Sequence, residues 1–229
     1  MGALVLATVN LAFADDEPDA AGGVKLTESQ QLAADKLMEM ANFMAGLEAF
    51  SVHSRAGFDV MQEDGQKIEF LENRDITMER PDRLVIREES AKDLAHLLLF
   101  DGEVITISDG ATGVYAQVPQ PGSIDDTIVY FLRELKSRVR MIEYVEESGA
   151  LPVPTHHVAV RTDTLDFQVW IADGKQPFPM RVVLTYPEQG APQYWTEYSE
   201  WNLKPSIRKS TFAFKPATDA QKNRVGRAT

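Results

Sequence analysis

The groups best suited to chemistry in this chain lie between residues 156 and 186. His156 and His157 are adjacent, and the stretch FQVWIADGKQPFPMRVVLTY (Phe167 to Tyr186) brings Trp170, Asp173 and Arg181 close behind them. A histidine pair suggests metal ligation, and a carboxylate near a guanidinium suggests acid–base work or anion binding. Neither reading holds up on spacing. Neighbouring residues of a strand point to opposite faces, so His156 and His157 cannot both grip one metal. Asp163 and Asp166 flank an expected turn, and paired-carboxylate catalysis needs two such groups converging in a cleft, for which nothing singles out a pair. The remaining histidines, His53 and His96, stand alone. There is no Gly-rich phosphate loop, no GxSxG elbow and no HExxH pair. The chain has no cysteine, which removes thiol catalysis, thiolate metal sites, disulfides and an acylated lipobox cysteine. The sequence therefore predicts no catalytic residue, no metal and no cofactor.

The elements that would position these groups follow from period and turn chemistry. Thr27, with Gln30 three residues on, forms a capping-box arrangement at a helix start. Ala33, Leu37, Met40, Met44 and Leu47 then make one apolar stripe. Met38, Met40 and Met44 read as core packing against a sheet, with an adaptable ligand surface as the alternative. After Gly46 the period becomes two. Phe50, Val52, Ala56, Phe58 and Val60 alternate with polar residues, as a half-buried strand requires. Glu63-Asp64-Gly65 turns the chain into a strand with Ile68 and Phe70. Ile76 and Met78 lie on the next strand, and Leu84 and Ile86 begin another. Asp101-Gly102 joins Leu97–Phe100 to Val104–Ile107, and Asp109-Gly110 leads into Val114-Tyr115-Ala116. Asp-Gly steps suit such turns because the tight hairpin needs positive φ.

Pro119 to Gly122 breaks this pattern, and Ser123 caps a second helix with Asp125 and Asp126 in its first turn. Ile128, Phe131, Leu132 and Leu135 give that helix an apolar face. Strands return over 156–162, the opening hairpin and 193–203, with a last short one at Phe212 and Phe214. In the hairpin Asp173-Gly174 reads as a turn, and Pro177 and Pro179 fit a loop or strand edge. The pattern predicts one curved antiparallel sheet wrapped against helices, an α+β domain without repeats. A strongly curved sheet has a concave face too wide for its own side chains, so its apolar residues make either a solid core or a ligand cavity. Periodicity leaves both open.

Bulk composition narrows the partners. The 229 residues carry 35 acidic against 23 basic side chains, a net charge of -12. Nucleic acid and anionic membrane surfaces would repel such a chain. The one basic cluster, Lys136 to Arg140 (KSRVR), reads as a solvated helix face. At the start, Ala3 to Ala14 is an apolar run ending in Ala12-Phe13-Ala14 before Asp15-Asp16-Glu17, which resembles a cleaved export signal lacking its basic n-region. It is too short for a span of roughly 20 residues. The expected division is a truncated signal peptide over 1–14, a disordered mature start over 15–26, one domain over 27–216 and a polar tail over 217–229.

Several stretches together resemble a family of predicted periplasmic proteins of unknown function that belongs with the LolA/LolB-type lipoprotein carriers. They are ERPDRLVI (Glu79 to Ile86), FDGEVITISDGATGVYAQVPQPGSIDD (Phe100 to Asp126), HHVAVR (His156 to Arg161), the hairpin quoted above and SEWNLKPSIRKSTFAF (Ser199 to Phe214). The order and spacing of these stretches carry the resemblance over roughly residues 28 to 225. It implies a half-open antiparallel β-barrel covered by helices, whose apolar cavity takes acyl chains. It also implies a periplasmic, non-enzymatic carrier for lipid or lipid-modified polypeptide. The segment from Lys136 to Thr155 is shorter than the family pattern, which implies a smaller or more open pocket. Candidate cavity residues are alternating strand positions: Phe58, Val60, Phe70, Leu84, Ile86, Tyr115, Trp170, Val182 and Leu184. The expected partner is lipid or an acylated protein. The competing readings are an envelope sensor of the same fold acting through a protein partner, and an enzyme with an unrecognised site.

Overall fold

Thr27 opens the first helix, α1 (Glu28–Ala45), with a complete capping box. Its hydroxyl accepts the Gln30 amide N–H at 3.2 Å, and the Gln30 side chain accepts the Thr27 N–H at 3.0 Å, so two orphan donors are satisfied reciprocally. In this computed structural model, which describes residues 26–89, 94–126, 139–188 and 190–223, twelve strands follow. They are β1 (Ala49–Met61), β2 (Lys67–Glu79), β3 (Arg83–Glu89), β4 (Leu94–Phe100), β5 (Val104–Asp109), β6 (Val114–Pro119), β7 (Val139–Ser148), β8 (Thr155–Thr162), β9 (Asp166–Ala172), β10 (Pro179–Thr185), β11 (Gln193–Asn202) and β12 (Gln221–Asn223). Their hydrogen-bonded order is β12-β6-β5-β4-β3-β2-β1-β11-β10-β9-β8-β7. The two ends of that order are different strands, so the sheet is open. At one end β12 adds to β6 in parallel, whereas β5 and β6 pair antiparallel. The fold is mostly sheet.

The chain divides into two compact units, and β1, β2 and β11 contribute residues to both. One unit holds α1, residues 57–70 and residues 128–197. There α1 packs on β7, β8 and β9 through Ala33, Ala34, Leu37, Met40 and Met44, all buried. Phe43 meets Phe178 edge-on, with ring centroids 5.0 Å apart. Beneath the helix, register places Val158 opposite Val169 and Val160 opposite Phe167, with Val182 next to Val169. All five are nearly free of solvent, and this is the apolar layer that α1 covers. Met38, expected with the core methionines, is instead exposed, because it lies off the Leu37–Met40–Met44 stripe.

The second unit holds residues 47–56, 71–127 and 198–229. Its strands carry alternate side chains to two faces. Val85, Leu97 and Leu99 pack with Phe212 on one, joined by Ile207 and Phe214. Phe212 and Phe214 therefore form an irregular cover over β3 and β4, where a last strand was expected. The other face carries Ile76, Met78, Leu84, Ile86, Leu98 and Phe100, aligned by register. Ile124, in the first turn after Ser123, donates its N–H to the Pro81 carbonyl, and Arg80 binds both Asp125 carboxylate oxygens at 2.5 Å. Ser123 caps this turn as expected, its hydroxyl accepting the Asp126 N–H at 3.0 Å.

Several expectations need correction. Ile76 and Met78 do not begin a new strand, since β2 runs unbroken from Lys67 to Glu79. Of the basic cluster KSRVR, Val139 and Arg140 open β7 and are not part of a helix face; β7 was missed altogether. Part of the polar tail, Gln221–Asn223, is the strand β12. The signal-peptide reading, the apolar face at Ile128–Leu135 and the last residues of the tail fall outside the described residues. The helical cover expected over the sheet is seen for α1 alone among the described elements.

Candidate functional site

In the unit containing α1, the two sheet faces differ in kind. Face identity is fixed by three contacts. A Cβ placed on Gly57 would lie 2.5 Å from Trp195 Nε1. Trp195 Nε1–H donates to Glu69 at 2.7 Å, and Trp195 shares the parity of Arg181, Val183 and Trp170 through the β11–β10–β9 register. Within residues 57–70, the odd residues of β1 and β2 thus share the Trp195 face, and the even residues share the α1 face.

On the Trp195 face, side chains of β8 to β11 cover one another. His157 stacks on Trp170, with centroids 4.0 Å apart and rings 13° from parallel. The Arg181 guanidinium sits 5.7 Å from the Trp170 centroid and 5.1 Å from that of Trp195, and it pairs with Glu197. Register explains the sequence of contacts, since His157, Trp170, Arg181 and Glu197 are direct cross-strand neighbours. Such a ladder contributes cation–π and stacking energy of order 0.5–1 kcal/mol per step. It roofs Val183, which is buried. Trp170 is therefore held between an imidazole and a guanidinium, and it is not placed with the other candidate residues.

Asp173 serves a different group. His156 Nε2 lies 3.1 Å from Asp173 Oδ1, and His156 Nδ1 lies 2.9 Å from the Tyr144 hydroxyl. With Asp173 ionised, Nε2–H donates to it and a neutral imidazole accepts from the phenol. The His156 N–H holds the Asp173 carboxyl below the usual aspartate range. Burial, with Glu147 and Asp173 adding to it, pushes the Tyr144 phenol upward, so that it stays protonated at neutral pH. A protonated phenol is a poor nucleophile, and this arrangement acts as a latch tying β7 and β8 to the turn after β9. Trp170 and Arg181 meet as cross-strand neighbours, whereas Asp173 is bonded to His156. Among the described residues no cluster of three or more His, Asp or Glu side chains is placed to hold a metal ion.

On the Trp195 face Met61 of β1 is exposed, and on the α1 face an apolar strip is left open. Beyond the strands that α1 covers, the β1–β2 hairpin presents Phe58, Val60, Ile68 and Phe70 on this one face. Phe58 and Phe70 stack at 5.8 Å and 20°. Val60, Ile68 and Phe70 remain 37%, 38% and 47% exposed. Leu184 and its register partner Tyr194 lie on the same face, half-buried, with Val182 buried beside them. Five of the nine candidates, Phe58, Val60, Phe70, Val182 and Leu184, thus share a face. Ile68 and Tyr194 were missed, although Ile68 shares the parity of Phe70 within the same strand.

Of the other four, Trp170 lies on the opposite face of the same unit, and Leu84, Ile86 and Tyr115 belong to the second unit, where they also divide by face. Leu84 and Ile86 are half-buried beside Ile76 and Met78. Tyr115 points the other way and packs on Phe214, with centroids 5.0 Å apart. On the Leu84 face, Arg74 pairs with Glu72 and Glu88. Burial first, and repulsion from Glu88, raise the Glu72 carboxyl against the opposing pull of Arg74. A raised carboxyl costs stability only above its unfolded pKa, as ionisation is resisted in the fold. Glu72→Gln is therefore expected to raise the melting temperature at pH 7. Near pH 4, where Glu72 is largely protonated, thermal unfolding should show little gain.

The comparisons with known proteins agree with this fold. An uncharacterized conserved protein from Thermus thermophilus superposes with a TM-score of 0.53 at 11% identity, covering 85% of this chain and all of that one. The lipoprotein LppX of Mycobacterium tuberculosis superposes with a TM-score of 0.52 at 12% identity, covering 79% of this chain and all of LppX. A LolA superfamily protein from Nitrosomonas europaea reaches only 0.42 at 10% identity, over 80% of this chain and 97% of its own, too low to bear on the fold. No curated protein matches the chain by sequence. The family model described as "Predicted periplasmic protein (DUF2092)" matches residues 33–135 and 129–225, so the chain belongs to that periplasmic family, as the spread of motifs implied.

Proposed function

We propose that this periplasmic protein binds lipid or lipid-modified polypeptide without chemical conversion, on the α1 face of the β1–β2 hairpin. The observation that carries the reading is the set of neighbouring exposed apolar side chains Val60, Ile68 and Phe70 around Phe58 on a single strand face. Soluble proteins rarely leave such contiguous apolar surface open unless it meets a ligand or partner. An acyl chain gains about 0.8 kcal/mol for each methylene it buries, so a long chain offsets the cost of association with no reaction needed. The sheet architecture shared with LppX, itself a lipoprotein, supports the reading at the level of fold.

Protein extracted from periplasm and examined by native mass spectrometry tests this. The expected spectrum contains a species heavier by a lipid or an acylated peptide, which dissociates on mild activation. A spectrum of ligand-free protein, with no uptake of added palmitate, would count against the reading.

A further inference from the structure

Among the described residues six polar side chains are buried: Ser54, Thr106, Ser148, Thr155, His156 and Thr196. Five of them have a hydrogen-bond partner. Ser54 donates to the Arg74 carbonyl, Thr106 accepts from Gln117, Ser148 accepts the Ala150 N–H, Thr155 donates to the Ser148 carbonyl, and His156 joins Tyr144 to Asp173. Thr196 differs. It has no solvent exposure, and its hydroxyl meets no partner among the described residues. Cross-strand register sets Thr196 in one row with Val182, Val169 and Val158 on the α1 face. Each of these valines is almost free of solvent. Valine has the shape of threonine, so a fourth valine would fill the same space and leave no hydroxyl to desolvate. A trapped water would not answer this hydroxyl, since it needs two or more polar partners and the row supplies one.

Two residues along β11, on the same face, Tyr194 pairs with Leu184, and both are half-buried. Thr196 thus lies one pleat, about 7 Å, inward of Tyr194 at the inner edge of the apolar strip. Resting on the acyl-binding reading above and deepening it, we propose that Thr196 anchors an uncharged ligand oxygen. Its hydroxyl donates to a hydroxyl or ester carbonyl oxygen at the end of the ligand that enters first. The chain then runs back over Leu184 and Tyr194 onto Phe58 and Phe70. Because Thr196 is fully covered, the Leu184 and Tyr194 side chains turn aside as that end passes. An ionised carboxylate is refused at this depth, since leaving water for a row of valines costs far more than one hydrogen bond returns. A fatty acid ionised at neutral pH therefore lies on the strip without using Thr196. The ligand class singled out by the anchor is a long-chain alcohol or ester, held oxygen-first.

The test compares dodecan-1-ol with laurate, of equal chain length, on the full chain and on Thr196→Val and Thr196→Ser. Affinities are read by displacement of an apolar fluorophore, and stability by thermal unfolding without ligand. Thr196→Val is expected to unfold about 2–4 °C higher than the parent, because the orphan hydroxyl is gone. It should nonetheless bind dodecan-1-ol about five- to tenfold more weakly, with laurate within about twofold of the parent. Thr196→Ser keeps the hydroxyl and should hold dodecan-1-ol within about threefold of the parent, although it is less stable. Undiminished binding of dodecan-1-ol by Thr196→Val overturns the anchor and leaves acyl binding intact. Equal losses for both ligands also overturn it, because a change of packing would then suffice. So does a Thr196→Val protein no more stable than the parent, since the hydroxyl would then be satisfied without a ligand. Failure of dodecan-1-ol, laurate and palmitate alike to displace the fluorophore overturns the acyl-binding reading itself.

Discussion

The double variant Phe58→Ser/Phe70→Ser is expected to bind palmitate about 60-fold more weakly than the parent chain. The two rings form a stacked pair on the open strip, and between them they can cover about three methylenes of an acyl chain. At about 0.8 kcal/mol per methylene this is roughly 2.4 kcal/mol, which converts to the stated factor. The fold should tolerate the change. Phe70 is almost half exposed and Phe58 is only half-buried, so the melting temperature is expected to stay within about 3 °C of the parent, far from the effect of a core truncation. Trp170→Ala provides the contrast. Its ring is sandwiched between His157 and Arg181 on the other face, so it should lower stability and leave palmitate affinity within about twofold. Isothermal titration calorimetry and thermal unfolding on the same preparations check both halves. A double variant that binds as well as the parent would remove the strip from the account.

Gly57→Ala is expected to destabilise the protein by about 2–3 kcal/mol, seen as a fall in melting temperature of roughly 4–10 °C. A new Cβ would stand 2.5, 2.6 and 2.8 Å from three ring atoms of Trp195. The indole has little freedom to retreat, since Nε1 is bonded to Glu69 and its ring carries the Arg181 guanidinium. Gly57 is thus glycine because a neighbouring ring occupies the space of its side chain. Substitution of glycine by alanine at an unstrained site would otherwise stabilise by a few tenths of a kcal/mol up to about 1. The mechanism is checked by a double-mutant cycle. Trp195→Ala removes the ring that the new methyl strikes, so Gly57→Ala/Trp195→Ala should be at least about 1 kcal/mol less damaged than the sum of the single changes. Additive losses would mean that the clash is not the cause.

What could be read from the sequence was mostly local. The α1 cap is written in Thr27 and Gln30, and the Asp101-Gly102 and Asp109-Gly110 turns locate two hairpins, because in each case the chemistry lies within four residues. The face assignment was not legible. Alternation states that Phe58 and Gly57 point oppositely, but which of them faces Trp195, far away in the chain, is set only by the fold. Consequently the candidates mixed faces: Trp170 with Val182, and Tyr115 with Leu84. The strand β7 was missed even though Ile142 and Tyr144 sit two apart, because the preceding KSRVR suggested a helix end and the flanking glutamates masked the apolar side. The breaks around Glu72 and Arg74 in β2 misled for the same reason. Charged residues inside a strand look like a turn until their partner, Glu88 on β3, is known. The use of Asp173 by His156 was likewise hidden, since a turn aspartate next to glycine needs no further explanation until the strand beside it is placed.

The most direct test of the central claim is where an acyl chain lies on the molecule. Palmitate carrying a diazirine near its methyl end should be equilibrated with the full chain and irradiated, and the adducts mapped by peptide sequencing. The account predicts labelling concentrated in residues 58–70, on the β1–β2 hairpin, with weaker labelling near Leu184 and Tyr194. It also predicts loss of that labelling in Phe58→Ser/Phe70→Ser. Adducts confined to the Trp170 and Trp195 face, or to Leu84 and Ile86, would contradict it.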